Sequence, residues 1–322
     1  MTRQFSLESI LRRAQLFRCA TVALCMLPFV FPPSLVAQTP APAPMPIGRT
    51  KVVLLGTGTP APNPDRSGPA TAIVVDSVAY LVDLGPGVVR RASAAFEKGI
   101  AALEPTRIRV AFVTHLHSDH TVGYPDLIFT AWTIGRRVPL EVYGPKGLKA
   151  MTQHLLQAYR VDIETRTNAD GNQHDFPQGA QVNAHEIKPG VVYQDENVTV
   201  TAFATKHAME SYGYRFDTPD RSIVISGDTN PVQATIDMCR SCDVLIHEVD
   251  TPAWLATRPE RFQKFAAKYH TTTTELAELA TQAKPRLLIL YHYASLSNDE
   301  LLHDMMARYS GHFVIGRDLD VY

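Results

Sequence analysis

The sequence predicts a mixed α/β fold, and three observations predict it. Apolar, β-branched runs at 108–113, 222–225, 244–246 and 287–290 read as buried strands. Helix-like stretches at 88–100, 123–134, 147–159, 274–283 and 298–309 lie among them. Several of the strand-like runs also end in histidine or aspartate, so the chemistry collects at strand ends.

A length of 322 residues allows one large domain or two small ones, and 45% apolar with 20% charged residues is ordinary for a soluble globular enzyme. The first 37 residues differ. Arg3, Arg12, Arg13 and Arg18 precede an apolar run from Cys19 to Val30, which Pro28, Pro32 and Pro33 break before Ala37. That is the pattern of a secretory signal cleaved on export, giving a periplasmic or secreted protein. As a membrane anchor the run is too short and too proline-broken. Residues 38–48, rich in Ala and Pro, read as an extended linker. Cleavage removes four Arg and one Glu, so the mature chain carries 27 basic and 31 acidic side chains, a net charge of −4. An acidic body is a poor host for long nucleic acid. The expected partner is therefore a small molecule, with neither nucleic acid nor membrane preferred and a homodimer left open.

Along the mature chain, 51–55 is a strand ended by Gly56-Thr57-Gly58-Thr59-Pro60. No helix pattern follows directly, so this Gly-x-Gly reads as a tight turn, not a phosphate loop. Residues 71–75 and 79–83 form a hairpin, and Asp83-Leu84-Gly85 follows it. By itself Asp83 suits the N-terminus of the next helix. The run 108–113 then delivers Thr114-His115-Leu116-His117-Ser118-Asp119-His120, closed by Gly123. Side chains alternate along the extended chain, so His115 and His117 point the same way as a chelating pair. Asp119 and His120 fall where the chain turns and can face a second ion. Imidazoles with a carboxylate suit zinc or a similar borderline metal.

Further on, 140–143 is a strand and 165–177 a polar loop in which His174 is a surface residue. Short alternating runs at 181–187, 191–194 and 197–205 suggest a second sheet. The last leads to His207 and then Tyr212-Gly213-Tyr214-Arg215. Asp228 follows the strand 222–225, in Ser226-Gly227-Asp228-Thr229, and alone would suit a helix cap. His247-Glu248 ends the next strand, and His292 ends the last buried one. His270 precedes the amphipathic helix 274–283, in Tyr269-His270-Thr271-Thr272. Cys239 and Cys242 read as a local disulfide first and as two thiols second. His154, His185, His247, His303 and His312 are taken as structural.

The pattern His-x-His-x-Asp-His after a strand resembles the metallo-β-lactamase superfamily. The resemblance implies an αββα sandwich, two mixed sheets flanked by helices in the single domain 49–322, with a metal centre at one edge. His207 with Gly213-Tyr214-Arg215, and Tyr269-His270-Thr271-Thr272, look like the ribonuclease Z branch, with Thr271 where that branch has Ser. It implies that His115, His117 and His207 hold one ion, that Asp119, His120 and His292 hold the other, and that Asp228 bridges them. Asp83 would brace the histidine loop by hydrogen bonds. His270 would neutralise or protonate the leaving oxygen, Glu248 would fix its tautomer, and Asp119 would also orient the nucleophile. The implied cofactor is two Zn2+, with Mn2+ or Fe2+ as substitutes. Two such ions roughly 3.5–4 Å apart would lower the pKa of a bridging water towards 7, and the resulting hydroxide would attack an ester centre.

For the substrate, only nine residues, 216–224, separate Arg215 from Ile225-Ser226-Gly227-Asp228, where the tRNA-processing members insert a long Gly/Pro-rich arm. With an acidic body and a leader, this ranks an exported hydrolase of small sulfate or phosphodiester esters first, similar to arylsulfatase and phosphodiesterase members. A ribonuclease Z-like tRNA endonuclease ranks second. A lactonase or β-lactamase ranks third, because those do not normally carry the Gly-Tyr-Arg and Tyr-His-Thr-Thr elements. A non-catalytic metal-binding protein is the remaining alternative.

Overall fold

The computed structural model describes residues 48–168 and 176–322. The expected leader, the linker as far as residue 47 and His174 lie outside them. The first sheet sets β1 (Thr50–Gly56), β2 (Ala70–Val75), β3 (Val78–Val82), β4 (Val110–Phe112), β5 (Leu140–Gly144) and β6 (Val182–Glu186) side by side in that order. Its first three strands are antiparallel, and β3 to β6 are parallel. The second sheet runs through β7 (Gly190–Gln194), β8 (Thr199–Ala204), β9 (Tyr212–Asp217), β10 (Ser222–Ile225), β11 (Val244–Asp250), β12 (Leu287–Ala294) and β13 (Phe313–Ile315). It is antiparallel as far as β10 and parallel from there to β13.

Helices α1 (Val88–Glu97), α2 (Ser118–Thr121), α3 (Gly123–Thr133), α4 (Leu148–Ala158) and α5 (Arg160–Asn168) belong to the first half. The second half carries α6 (Gln233–Cys239), α7 (Pro252–Ala256), α8 (Glu260–Tyr269), α9 (Thr273–Ala283) and α10 (Asn298–Met306). Strand periodicity separates the layers. In β1, Val53 and Leu55 pack with Val88, Tyr124 and Leu127 under the first helices, while Val52 and Leu54 face the other sheet. In β10, Ile223 and Ile225 face the first sheet, while Val224 packs with Leu276, Ala280 and Leu301 of the second helix layer. Phe112 is wedged between the sheets, its ring centroid 5.4 Å from those of Tyr143, Tyr214 and Phe216. The result is the metallo-β-lactamase sandwich expected from the histidine pattern.

Four expectations need correction. The run 181–187, expected in the second sheet, pairs as β6 parallel to β5 in the first. A crossover through α4 and α5 returns the chain beside the strand it left, as parallel strands require. Residues 160–168, partly expected as loop, form α5, whose polar sequence is supported by the i,i+4 ion pairs Arg160–Glu164 and Arg166–Asp162. Helices α7 and α8 are not among the expected helix-like stretches, and α6, the helix that Asp228 would suit as a cap, starts instead after Val232 with no side-chain cap. Finally, β11 and β12 run past residues 246 and 290, so His247, Glu248 and His292 lie inside strands. Cys239 and Cys242 are buried and disulfide-bonded at the end of α6.

Strand direction explains why distant residues meet. Strands β3 and β4 are parallel, as are β10, β11 and β12. Strand β8 runs the same way as β10, because both are antiparallel to β9. The C-terminal ends of these strands carry Asp83, the 114–120 loop, His207, Asp228, Glu248 and His292 to one edge.

Candidate metal centre

The 114–120 loop is fixed from beneath by Asp83. Its Oδ1 accepts the Thr114 amide at 2.8 Å, and its Oδ2 lies 2.9 Å from His120 Nδ1. Asp83 adopts a φ of 62° and His292 a φ of 44°, left-handed conformations that cost non-glycine residues energy and cluster at functional sites. At Gly123, an added Cβ would stand 2.3 Å from the Gly85 carbonyl, so only glycine lets the start of α3 approach the turn that follows Asp83.

The ligating atoms of His115, His117, His207 and Asp228 lie within 4.8 Å of one another, as do those of Asp119, His120 and His292. His117 Nδ1 is 3.0 Å from His115 Nε2 and 3.1 Å from His207 Nε2. Asp228 stands between the two groups. Its Oδ2 is 3.8 Å from His115 Nε2, and its Oδ1 is 3.3 Å from His120 Nε2 and 3.2 Å from His292 Nε2. Asp119 Oδ2 is 3.5 Å from His120 Nε2 and 3.7 Å from His292 Nε2.

The outward nitrogens are held in place. His292 Nδ1–H donates to the Gly58 carbonyl at 2.6 Å, and His207 Nδ1–H donates to the Tyr269 carbonyl at 3.1 Å. His115 Nδ1 meets Thr114 Oγ1 at 3.0 Å. Anchoring one ring nitrogen this way leaves the other with an inward lone pair, which is how metal-binding imidazoles are oriented. The Gly56–Thr59 turn therefore serves the site through its Gly58 carbonyl.

Two tests support a cation here. Asp119 Oδ2, His120 Nε2 and Asp228 Oδ1 are buried and make no hydrogen bond, although buried polar atoms are nearly always satisfied. All three point inward, where only a cation would satisfy imidazole lone pairs and carboxylate oxygens together. The imidazole-rich donor set with carboxylates also suits zinc. Electrostatics divide the site. Burial pushes His115 well below its ordinary pKa and His207 down to about 4, leaving neutral rings able to donate lone pairs. His120 and His292, although buried, are raised by the Asp228 carboxylate, so a cation bound there would displace protons. Burial disfavours charge on Asp228, yet His292 and His120 outweigh it and hold the carboxyl well below its usual range.

His270 stands beside the first group, its ring centroid 5.1 Å from that of His207. Its Nδ1 is 2.8 Å from Glu248 Oε2. Burial opposes the charged imidazole, but the Glu248 carboxylate overcomes it and pushes His270 up to about 10. Burial also raises Glu248, to about 7. Near neutrality the shared proton sits on the imidazole. His247 is fully buried and its Nδ1–H donates to its neighbour's carbonyl, consistent with a packed residue.

The structure adds residues that sequence reasoning missed. Asp250, Trp254, Arg258, Phe262 and Phe265 line a cavity of about 420 Å3 together with His117, Asp119, Asp228, Glu248, His270 and His292. Burial raises Asp250 to about 6. A signal was present: Phe262, Phe265 and Tyr269 have helical spacing, and Thr251-Pro252 opens a helix, with the Thr251 hydroxyl accepting the Trp254 amide.

Residues 79–293 match the Beta-lactamase superfamily domain. A ribonuclease Z of Mycobacterium sp. (strain KMS) is 35% identical over 233 residues, 71% of this chain and 78% of that one. A ribonuclease Z of Mycobacterium bovis (strain BCG / Pasteur 1173P2) is 30% identical over 265 residues, 80% and 91% of the two chains. Among solved structures, the metallo-beta-lactamase fold protein YhfI from Bacillus subtilis superposes with a TM-score of 0.65 at 18% identity, covering 85% of this chain and 99% of that one. The short form of human tRNase Z gives 0.62 at 24% identity, covering 84% and 98%.

Proposed function

The chain belongs to the metallo-beta-lactamase superfamily, and from that premise we propose that it is a metal-dependent phosphodiesterase of the ribonuclease Z kind. The observation that carries this is the His270–Glu248 pair set beside the His/Asp cluster, in a chain whose 30–35% identical relatives are ribonucleases Z. These relatives favour the ribonuclease Z-like reading, which the sequence ranked second, over the exported hydrolase of small sulfate or phosphodiester esters, which it ranked first.

His115, His117, His207, Asp119, His120 and His292 would hold two cations, with Asp228 shared between them. Cations bound there supply Lewis acidity towards an ester oxygen and a lowered pKa for water. The chain's own residues supply the rest. Asp119 also lines the cavity, and its carboxylate can accept a proton from the attacking water, fixing its direction. His270, protonated through Glu248, donates a proton to the leaving oxygen, a contribution of about 10²–10⁴ in rate for general acids. Asp83, Gly58 and Tyr269 keep the rings aimed, so little reorganisation is needed when substrate arrives.

A second reading keeps the phosphodiester chemistry but takes a compact ester in place of transfer RNA, and one observation favours it. The β9–β10 hairpin closes through the tight turn 218–221, where the Thr218 amide donates to the Arg221 carbonyl at 2.9 Å. Export through residues 1–37 would favour the same choice. The test is turnover by the zinc-supplemented chain of bis-p-nitrophenyl phosphate, p-nitrophenyl sulfate, a lactone and a transfer RNA precursor. Phosphodiester cleavage without sulfate or lactone turnover is expected, and the precursor separates the two substrate classes. Metal bound with no phosphodiester turnover would remove the proposal.

A further inference from the structure

Helix α8 buries little of itself: Ala266 is its one buried residue, although Phe262, Phe265 and Tyr269 form an aromatic stripe at helical spacing. Such a stripe normally packs into a core. Here Phe262 and Phe265 are half-buried and, with Trp254 of α7, form one wall of the 420 Å3 cavity over the metal-binding residues. The rings are contiguous. Trp254 and Phe262 have centroids 5.8 Å apart, Phe262 and Phe265 6.2 Å, and Phe265 and His270 5.6 Å. Asp119, Asp228, Glu248 and Asp250 line the same cavity as an acidic floor. Arg258, whose guanidinium lies 4.9 Å from the Trp254 ring centroid, and the exposed Arg261 stand at the aromatic side.

We infer that this wall is the leaving-group subsite and that it takes a planar aromatic ring, a nucleobase or a simple aryl group, joined to the scissile phosphate. The inference rests on the phosphodiesterase proposal for the same cavity and names the substrate's chemistry. Position assigns the side: the aromatic wall begins at Phe265, next to His270, the group that protonates the leaving oxygen. Chemistry assigns the ring: faces and edges of three aromatic side chains stack a flat π-system well, and do so without demanding a particular base. Arg258 and Arg261 supply positive charge for the phosphate that such a leaving group carries when it is a nucleotide. A wall that merely kept water out would bind a ring no better than a sugar.

The chain has two tryptophans, and Trp132 is 1% exposed in the first helix layer, so quenching by a small ligand reports Trp254. The test titrates adenosine 5′-monophosphate, phenyl phosphate and ribose 5-phosphate into the zinc-supplemented chain while following tryptophan fluorescence. Saturable quenching by the first two, at least tenfold tighter than ribose 5-phosphate, is expected. A response to the nucleotide alone marks a nucleobase site, and a response to phenyl phosphate alone marks an aryl site. Phe262→Ala should weaken aromatic ligands about tenfold with ribose 5-phosphate unchanged, and Phe262→Tyr should restore them. A thermal melt checks that each variant is folded. Equal binding of all three ligands, or no quenching by any, would overturn the inference. Ring-dependent binding without phosphodiester turnover would remove the hydrolase proposal instead, and turnover without ring dependence would remove only the aromatic subsite.

Discussion

Glu248 holds His270 from one side and the Asp228 loop from the other: its Oε2 is 2.8 Å from His270 Nδ1, and its Oε1 accepts the Thr229 amide at 2.5 Å. The carboxylate therefore ties the proton donor to the residue next to the shared aspartate. His270→Ala should lower kcat on bis-p-nitrophenyl phosphate by about 10²–10⁴ while leaving the bound zinc in place. Loss of zinc in that variant would assign His270 to the metal site instead.

The same pair sets a pH dependence. The acid must be protonated to act, and Glu248 raises His270 to about 10, so kcat should hold through neutral pH and fall as pH rises through about 10. Glu248→Gln removes the charge that raises His270, and the alkaline limb should move to lower pH. A pH–rate profile unchanged by Glu248→Gln would show that another group carries the limb.

Asp83 is buried beneath the histidine loop and accepts from both Thr114 and His120. Asp83→Asn turns an amide N–H towards one of these donors. Zinc affinity, measured by competition with a chromophoric chelator, should fall about 10–100-fold, the usual cost of losing such an outer partner. Unchanged affinity would mean that the loop holds its shape without Asp83.

Gly227 precedes Asp228 with a φ of 61°, and an added Cβ would sit 2.7 Å from Thr114 Cβ. Gly227→Ala should cost about 1–3 kcal/mol from the conformation alone and should also weaken metal binding by pushing the β10 end from the histidine loop. Gly99 also has a positive φ, 96°, but open space around its Cβ position. Gly99→Ala should therefore destabilise without touching metal affinity. Equal metal affinity in the two variants would contradict the packing argument.

Much of this was legible in the sequence for a physical reason. Residues that gather at a sheet edge must sit at strand ends, and His115, Asp228 and His292 each follow a recognisable apolar run. The layers were legible too, because strands buried on both faces read as continuous apolar segments. What stayed hidden depended on context. Strand β6 has an alternating pattern that fits either sheet, and only pairing with β5 decides. Helix α7 spans five residues and buries none of them, so it shows no periodic contrast, whereas the aromatic spacing at 262, 265 and 269 in α8 lies in a largely polar segment of which only Ala266 is buried. Asp250 looks like any strand-end carboxylate until the cavity around it is seen.

Metal content by elemental analysis, after zinc loading and exhaustive dialysis, tests most directly whether separated segments build one dinuclear centre. About two zinc ions per chain are expected, falling to one or none in His117→Ala, whose ring nitrogen lies 3.0 Å and 3.1 Å from those of His115 and His207. A chain that retains no metal, or a His117→Ala variant that retains as much as the parent, would contradict it.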